Sequence, residues 1–590
     1  MNAVDLADPA AISTEVSRRL LSFARPYWKE ISLSMLLSLA TTAANIGMMG
    51  TSAYLIATAA LQPSIAVLQV AIVGVRTFGI SRGVFRYLER LVSHSVNFKL
   101  LSELRGWFFR AIEPLVPGGV EDLKSGNLLA GSVQDIETLE DFYVRGIAPP
   151  IAAAIVTTGV SLFTLQYSIS MAGMLAIGLI LTGLVLSLQI RSITSRLSRA
   201  RIQTRTRLSE LAVETIDGAA EILMANTVDA HLQKIKTGSR QAKDASLSLS
   251  IWYSISLGTG TLISNLTLVG ILYLGIPLVR SGQIDGVSLA VLALITLASF
   301  EPINLLPSAT VKIETSLAAA RRLFDLADRP VPIPEPIHPE NITHFSNLTI
   351  RHLNFTYPGA QKPALFDVSL QITPGKRIAI VGPSGSGKTT LLNIIQHNLP
   401  VLSDTVFWNG KDACELDGYS IRGLIGVLSQ NAYLFSTSIK ENLKLANSYN
   451  PNFQSILEEV GLTAWLNSLP NGLDTWLGDN GSQLSGGERQ RLLLARTILL
   501  NRPLLLADEP FANLDLASED KLLHLLLQCQ PNCAQIIATH RLTGMHLYDE
   551  ILVLDDGKIV ERGTHTDLLI TQGLYRRLWE QQTNLIFFDR

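Results

Sequence analysis

The sequence predicts two unlike parts in series: an all-α membrane domain of six spanning helices, then a soluble α/β domain built on a phosphate-binding loop. Three observations predict this. Apolar runs of spanning length crowd the chain up to about residue 307 and are absent beyond it. A proline-rich connector follows, Arg329-Pro330-Val331-Pro332-Ile333-Pro334-Glu335-Pro336, where repeated X-Pro steps exclude helix. Gly382-Pro383-Ser384-Gly385-Ser386-Gly387-Lys388-Thr389 then matches G-x-x-x-x-G-K-[ST] at every fixed position. The expected parts are a membrane domain over 1–330, a linker over 331–339 and a nucleotide-binding domain over 340–590. A mean hydropathy of only +0.28 averages two different halves.

A span needs about 20 mostly apolar residues. The six candidates are roughly 31–60, 63–90, 147–166, 170–190, 251–277 and 286–307. An even number puts both termini on one side, and positive charge says which. The stretch between spans four and five carries Arg191, Arg196, Arg199, Arg201, Arg205, Arg207, Lys234, Lys236, Arg240 and Lys243, whereas the opposite turns carry almost no cation besides Arg280. Both termini and the phosphate loop are therefore expected in the cytoplasm, in an inner (plasma) membrane. The two inner connections are long, polar and helix-like, so the spans are expected to run on into the cytoplasm. Residues 127–140 are the expected point of contact with the ATPase domain. No short apolar core with a small-residue cleavage site opens the chain, so no cleaved signal is expected.

Ionisable residues within spans are costly and point to function. Arg76 in span two and Glu301 in span six fall at similar depth, counting 1.5 Å per residue. The expectation is a pair between them, or an Arg76-lined cavity for an anionic substrate. A purely structural pair near the inner interface is the competing reading. Arg82, Arg86, Arg90 and His94 recur every four residues and so share one helix face. Such a stripe suits an anionic ligand, or a haem with His94 as axial ligand. Snorkelling charge beside lipid headgroups is the plainer alternative.

In the second part, the apolar run Arg377–Val381 precedes the phosphate loop and Thr390-Leu391-Leu392 continues it as a helix. Backbone N–H groups and a helix N-terminus then cradle phosphate. In this reading Lys388 reaches the β- and γ-phosphates and Thr389 holds Mg²⁺. Leu504-Leu505-Leu506-Ala507-Asp508-Glu509 reads as a strand ending in two acids, Asp508 for Mg²⁺ and Glu509 to polarise the attacking water. Between them lies Leu484-Ser485-Gly486-Gly487-Glu488-Arg489-Gln490-Arg491, with Ser485 at a helix start suited to a γ-phosphate.

That last segment resembles the signature of ATP-binding-cassette (ABC) proteins, and the whole chain resembles an exporter-type half-transporter. The resemblance implies that the signature binds the γ-phosphate held on a partner domain, so that a dimer is required. It implies roles for Tyr357 (stacking on adenine), Thr390 (completing the phosphate loop), Gln430 (sensing Mg²⁺ and the membrane domain), Asp515 (communication across the dimer) and His540 (γ-phosphate switch). The family more often has Ser where Ala512 stands. Gly83 through His94, Asp135 through Arg145, Ala298-Ser299-Phe300-Glu301-Pro302 and Ala318 through Phe324 resemble the CydC family. That resemblance implies a heterodimer with a CydD-like chain, export of cysteine or glutathione in support of cytochrome bd assembly, and haem binding. A lipid or multidrug half-exporter is the nearest alternative; an ATP-binding regulator or gated pore is another, disfavoured by the intact Glu509 and His540. Contact with lipid is expected, and nucleic acid is not. The net charge of −2 gives no general attraction to polyanions. Cys414, Cys529 and Cys533 all lie in the second part, fitting reduced thiols better than disulfides or a metal site.

Overall fold

The computed structural model describes residues 9–116, 125–446, 452–512, 514–528 and 532–588. The chain divides into two compact units, Met1–Pro330 and Val331–Arg590. Asn513 and Cys529 lie outside the described residues.

The first unit is all helix: α1 (Pro9–Ala24), α2 (Trp28–Ala59), α3 (Ile65–Ile112), α4 (Ser125–Asp141), α5 (Ala148–Leu165), α6 (Ile169–Ile180), α7 (Leu186–Asp217), α8 (Ala219–Met224), α9 (Val228–Arg280), α10 (Gly286–Ile303) and α11 (Leu306–Ala327). Six stretches are long and apolar enough to cross a membrane: Thr14–Ala59, Ile65–Leu115, Arg145–Leu165, Ile169–Gln189, Val228–Arg280 and Gly286–Ala327. α3 and α9 hold 48 and 53 residues. At 1.5 Å per residue each is more than twice the ~30 Å hydrocarbon thickness, so the spans do continue as polar helices. Among lipid tails helices gain no hydrophobic drive to pack, so close approach by small residues matters. A Cβ on Gly178 of α6 would land on the Thr267 hydroxyl of α9. Two π-helical turns interrupt the regular pattern, Phe142–Ile147 and Leu181–Val185. The first has a cause: Pro149 and Pro150 open α5 without N–H groups, so the preceding carbonyls lose their usual donors. α4 is clamped to α11, with Arg322 Nε donating to Asp135 at 2.8 Å and Ser316 Oγ to the Thr138 carbonyl at 2.9 Å. Tyr143 donates to the Leu20 carbonyl of α1 at 2.6 Å.

The second unit carries β1 (Leu348–Phe355), β2 (Leu365–Ile372), β3 (Arg377–Val381), α12 (Lys388–Ile395), β4 (Val406–Trp408), β5 (Lys411–Asp412), α13 (Gly418–Gly423), β6 (Ile425–Leu428), α14 (Ile439–Lys444), α15 (Phe453–Glu459), α16 (Thr463–Ser468), α17 (Gly486–Leu499), β7 (Leu504–Asp508), α18 (Leu516–Gln528), β8 (Ala534–Thr539), β9 (Glu550–Asp555), β10 (Lys558–Gly563), α19 (His565–Ile570) and α20 (Leu574–Phe588). Two sheets form, ordered β2-β1-β4-β5 and β10-β9-β3-β8-β7-β6. In the second, β9, β3, β8, β7 and β6 run parallel. β7 and β8 are buried along their whole length, which is why both read as unbroken apolar runs. β3, β8 and β7 are neighbours, so Val381, Thr539 and Asp508 end side by side at their carboxyl edge. Ligands of open parallel sheets sit at this edge.

Candidate functional site

A cleft of about 530 Å³ opens at that edge. The phosphate loop leaves β3 through Gly382, where a Cβ would strike the Leu554 carbonyl. It enters α12 at Gly387, whose φ of +103° disfavours a side chain and where an added Cβ would lie 2.6 Å from the Ala364 carbonyl oxygen. Ser384, Gly385, Gly387, Lys388, Thr389 and Thr390 line the cleft. Gly382, Pro383 and Ser386 form the back of the loop instead. The Gly382 and Pro383 carbonyls each accept from Lys388 Nζ at 2.9 Å, which parks the ammonium beside the phosphate position. Burial holds the Lys388 amine below its ordinary pKa, against the opposing pull of Glu509 and Asp508.

Across the cleft, Thr389 Oγ1 donates to Asp508 Oδ2 at 2.7 Å. Burial pushes the Asp508 carboxyl above its ordinary value. These are hard oxygen donors, and Gln430 lines the same cleft. The set suits Mg²⁺, which prefers a few protein oxygens and keeps the rest for phosphate and water. Glu509 follows with φ +49°, a left-handed backbone that costs a non-glycine residue about 1–2 kcal/mol. Strain of this kind gathers at functional sites. Glu509 Oε1 lies 2.8 Å from His540 Nδ1 and accepts the His540 backbone N–H at 3.0 Å. Thr539 donates to Oε2 at 3.4 Å. Tyr357 also lines the cleft, its hydroxyl 3.3 Å from Thr390 Oγ1 and its ring edge-on to Phe355. Ala364 and Thr539 were not anticipated; Thr539 stands next to His540, a signal the sequence did carry.

None of Leu484, Ser485, Gly486, Gly487 and Glu488 lines this cleft. Ser485 caps α17 in a reciprocal box: its N–H donates to Glu488 Oε2 at 2.8 Å and its hydroxyl accepts the Glu488 N–H at 3.3 Å. The same helix reaches back to the segment after Gln430, where Arg489 and Arg496 donate to the carbonyls of Ala432 and Tyr433 at 2.7 and 2.9 Å. Asp515 caps the start of α18 through the Ser518 N–H at 3.0 Å, and hydrogen bonds from Ser518 hold its carboxyl below the ordinary value. Cys533 is buried and donates to the Arg502 carbonyl at 3.2 Å.

The membrane unit corrects one expectation. Glu301 does not meet Arg76, which is exposed and makes no ion pair among the described residues. It faces Arg82 and Arg86, at 3.7 and 3.8 Å, and accepts from the Asn45 amide. Depth alone had been matched; six residues further along a 3.6-residue helix also turns the side chain by about 240°. Asn45 is only 4% exposed, and its Oδ1, like Arg82 Nε, has no hydrogen-bond partner. Arg90 and His94 continue the stripe on exposed positions outside this cluster, the His94 ring next to Phe98.

Comparison with known proteins agrees with both units. The ABC transporter transmembrane region model matches residues 31–302, and the ABC transporter model matches residues 365–512. The chain is 31% identical over 566 residues to the glutathione/L-cysteine transport system ATP-binding/permease protein CydC of Escherichia coli (strain K12), covering 94% of this chain and 98% of that one. It is 29% identical over 512 residues to the ATP-dependent lipid A-core flippase of the same strain, covering 85% and 87%. A solved bacterial Atm1-family ABC exporter with ATP bound shares the fold, with a TM-score of 0.83 and 24% identity over 95% of this chain and 98% of that one. The chain is a multi-pass membrane protein and belongs to the ABC exporters, in which ATP hydrolysis in the second unit drives transport through the first.

Proposed function

We propose that the chain is one half of a heterodimeric exporter, paired with a CydD-like chain in the inner membrane, that moves a small carboxylate-bearing thiol of the cysteine or glutathione type. The observation that carries the substrate class is the cluster at Glu301. Two guanidinium groups face one carboxylate without closing on it, and a buried amide oxygen stands unsatisfied beside them. A solute carrying both a carboxylate and an N–H or S–H donor supplies what these groups lack, an acceptor for Arg82 Nε and a donor for Asn45 Oδ1, and ionisable side chains at this depth point to function. The glutathione/L-cysteine transport named for the CydC relative supports the same class.

In this reading the nucleotide site takes two chains, supported by the absence of the capped start of α17 from the lining of its own unit's cleft. A partner's signature helix then closes over the γ-phosphate, and this chain's Ser485 serves the partner's cleft. Mg²⁺ held by Thr389, Asp508 and Gln430 would neutralise charge on the β- and γ-oxygens. Lys388 orients the phosphates. Glu509 polarises the attacking water, and His540, gripping Glu509 Oε1, fixes where that carboxylate points. ATP favours the closed pair by its differential affinity for it, and hydrolysis releases that bias. Both termini and the second unit face the cytoplasm in this reading.

A haem, if bound, would be held by the exposed His94 imidazole as a nitrogen ligand to iron, with Arg86 and Arg90 on the same helix face as positive charge for its carboxylates. Haem would supply a visible Soret band, which tests the assignment directly. The deciding experiment purifies the chain from membranes in mild detergent and identifies its partner. It then measures ATP-driven uptake of labelled glutathione and cysteine into inverted vesicles. Uptake that is vanadate-sensitive and lost with the partner supports the reading. Lipid translocation without thiol uptake favours the flippase-like alternative, and nucleotide binding without turnover favours a regulator.

A further inference from the structure

We infer that Gln582, on the C-terminal helix α20, is a positioning residue for the switch histidine and ties that helix to ATP turnover. The inference rests on the reading of His540 given above. Gln582 Nε2 donates to the His540 carbonyl at 2.5 Å, and its Oε1 accepts the Leu542 N–H at 2.9 Å. One side-chain amide therefore closes both ends of the turn that carries His540. On its other side the same residue holds Glu509, through its N–H at 3.0 Å and its ring Nδ1 at 2.8 Å. β8 ends at Thr539, and among the described residues side chains hold the turn beyond it: Thr539 Oγ1 accepts the Arg541 N–H at 3.0 Å, the Arg541 guanidinium reaches the Leu514 carbonyl at 3.3 Å, and Gln582 takes the His540 carbonyl and the Leu542 N–H.

The helix is built to hold that amide still. Tyr575, Trp579 and Gln582 lie at i, i+4 and i+7, a single face. Tyr575 is fully buried, and Trp579 packs on the core of the unit. The Tyr575 hydroxyl sits 2.6 Å from His565 Nδ1. At the helix start the Glu561 carboxylate accepts the N–H groups of Leu574 and Tyr575, satisfying donors that would otherwise be orphaned. Two anchored turns thus deliver Gln582 to a fixed place. A displacement of α20 would pull on the His540 carbonyl and, through it, on the carboxylate of Glu509.

The test uses the assembled transporter in detergent, comparing Gln582→Ala, Gln582→Glu and the exposed neighbour Gln581→Ala with wild type. In Gln582→Ala, losing both hydrogen bonds of the amide to the switch turn is expected to lower kcat for ATP about fivefold, with KM within about twofold. Gln582→Glu keeps the acceptor for Leu542 but loses the donor to His540. It is expected to lose at least as much kcat as Gln582→Ala, because a carboxylate oxygen then faces the His540 carbonyl. Gln581→Ala should behave as wild type. Full kcat in Gln582→Ala or in Gln582→Glu overturns the inference, as does a loss confined to melting temperature and KM. A His540→Ala variant is run beside them: full turnover there sinks the reading of the site itself rather than that of Gln582.

Discussion

Among the described residues each unit contains a carboxylate set between two cations, and the two trios are built differently. In the ATPase unit Glu550 bonds directly to Lys376, at 2.5 Å, and to Arg562, with its side chain only 11% exposed. In the membrane unit Glu301 stands 3.7 and 3.8 Å from Arg82 and Arg86, and its side chain is 50% exposed. The first trio is closed: every charge has a hydrogen-bonded partner, as burial demands. The second is open, with attraction but no hydrogen bond between the charges. Like ingredients are therefore arranged in two ways. The closed trio, Glu550 with Lys376 and Arg562, holds β9 to β10 and to the turn before β3, whereas the open one, Glu301 with Arg82 and Arg86, leaves its charges short of hydrogen-bond contact.

A third carboxylate sets the ceiling against which both trios are judged. Glu509→Gln is expected to cut ATP turnover by about 100-fold or more while nucleotide still binds, measured as phosphate release beside nucleotide trapping. Next in size, Gly387→Ala should weaken ATP binding at least about tenfold, since the added Cβ meets the Ala364 carbonyl in a left-handed turn; fluorescent-nucleotide titration reads it. Arg86→Gln and Glu301→Gln should each change substrate-stimulated turnover by about five- to tenfold, with a melting temperature close to wild type. Wild-type transport in both variants would mean that the open trio is structural after all.

Glu550→Gln should do the reverse, leaving turnover near wild type and costing about 1–2 kcal/mol of stability, since Arg562 is itself half exposed. Its pH dependence has a definite sign. Burial alone would raise the Glu550 carboxyl, but hydrogen bonds from Arg562 and Lys376 outweigh it and hold the group below its ordinary value. The folded state then binds fewer protons than the unfolded one between those two values. The stabilisation is fully present above the ordinary carboxylate range and is lost as pH falls through the depressed folded value. Melting curves from neutral to acid pH should fall less steeply in Glu550→Gln than in wild type.

The ATP cleft was largely legible in the sequence because its parts are local. Each of Lys388, Asp508, Glu509 and His540 sits beside a short strand whose apolar run announces it, and the parallel sheet brings those strand ends together. In the membrane unit hydropathy gave the depth of Glu301 but not its partners, since the facing residue depends on rotation and on how neighbouring helices pack. Asn45 gave no signal, being one polar residue in an apolar run until packing set it against Glu301. Nor did the π-helical turn at Leu181–Val185, which no periodicity in that stretch marks. Gln582 lies 42 positions from the backbone it holds, a separation no local pattern bridges.

That Ser485 does not line the cleft of its own unit has a genetic consequence for the proposed pairing. In a pair of two unlike chains sharing their pockets as proposed, a lesion at Lys388 and one at Ser485 would strike different pockets even though they sit on one polypeptide. Carried by the same allele they inactivate both pockets. Shared out instead, with Lys388 altered here and the signature serine altered in the other gene, both lesions fall on one pocket and spare its twin. Counting mutations would call these two strains equivalent, and growth would tell them apart.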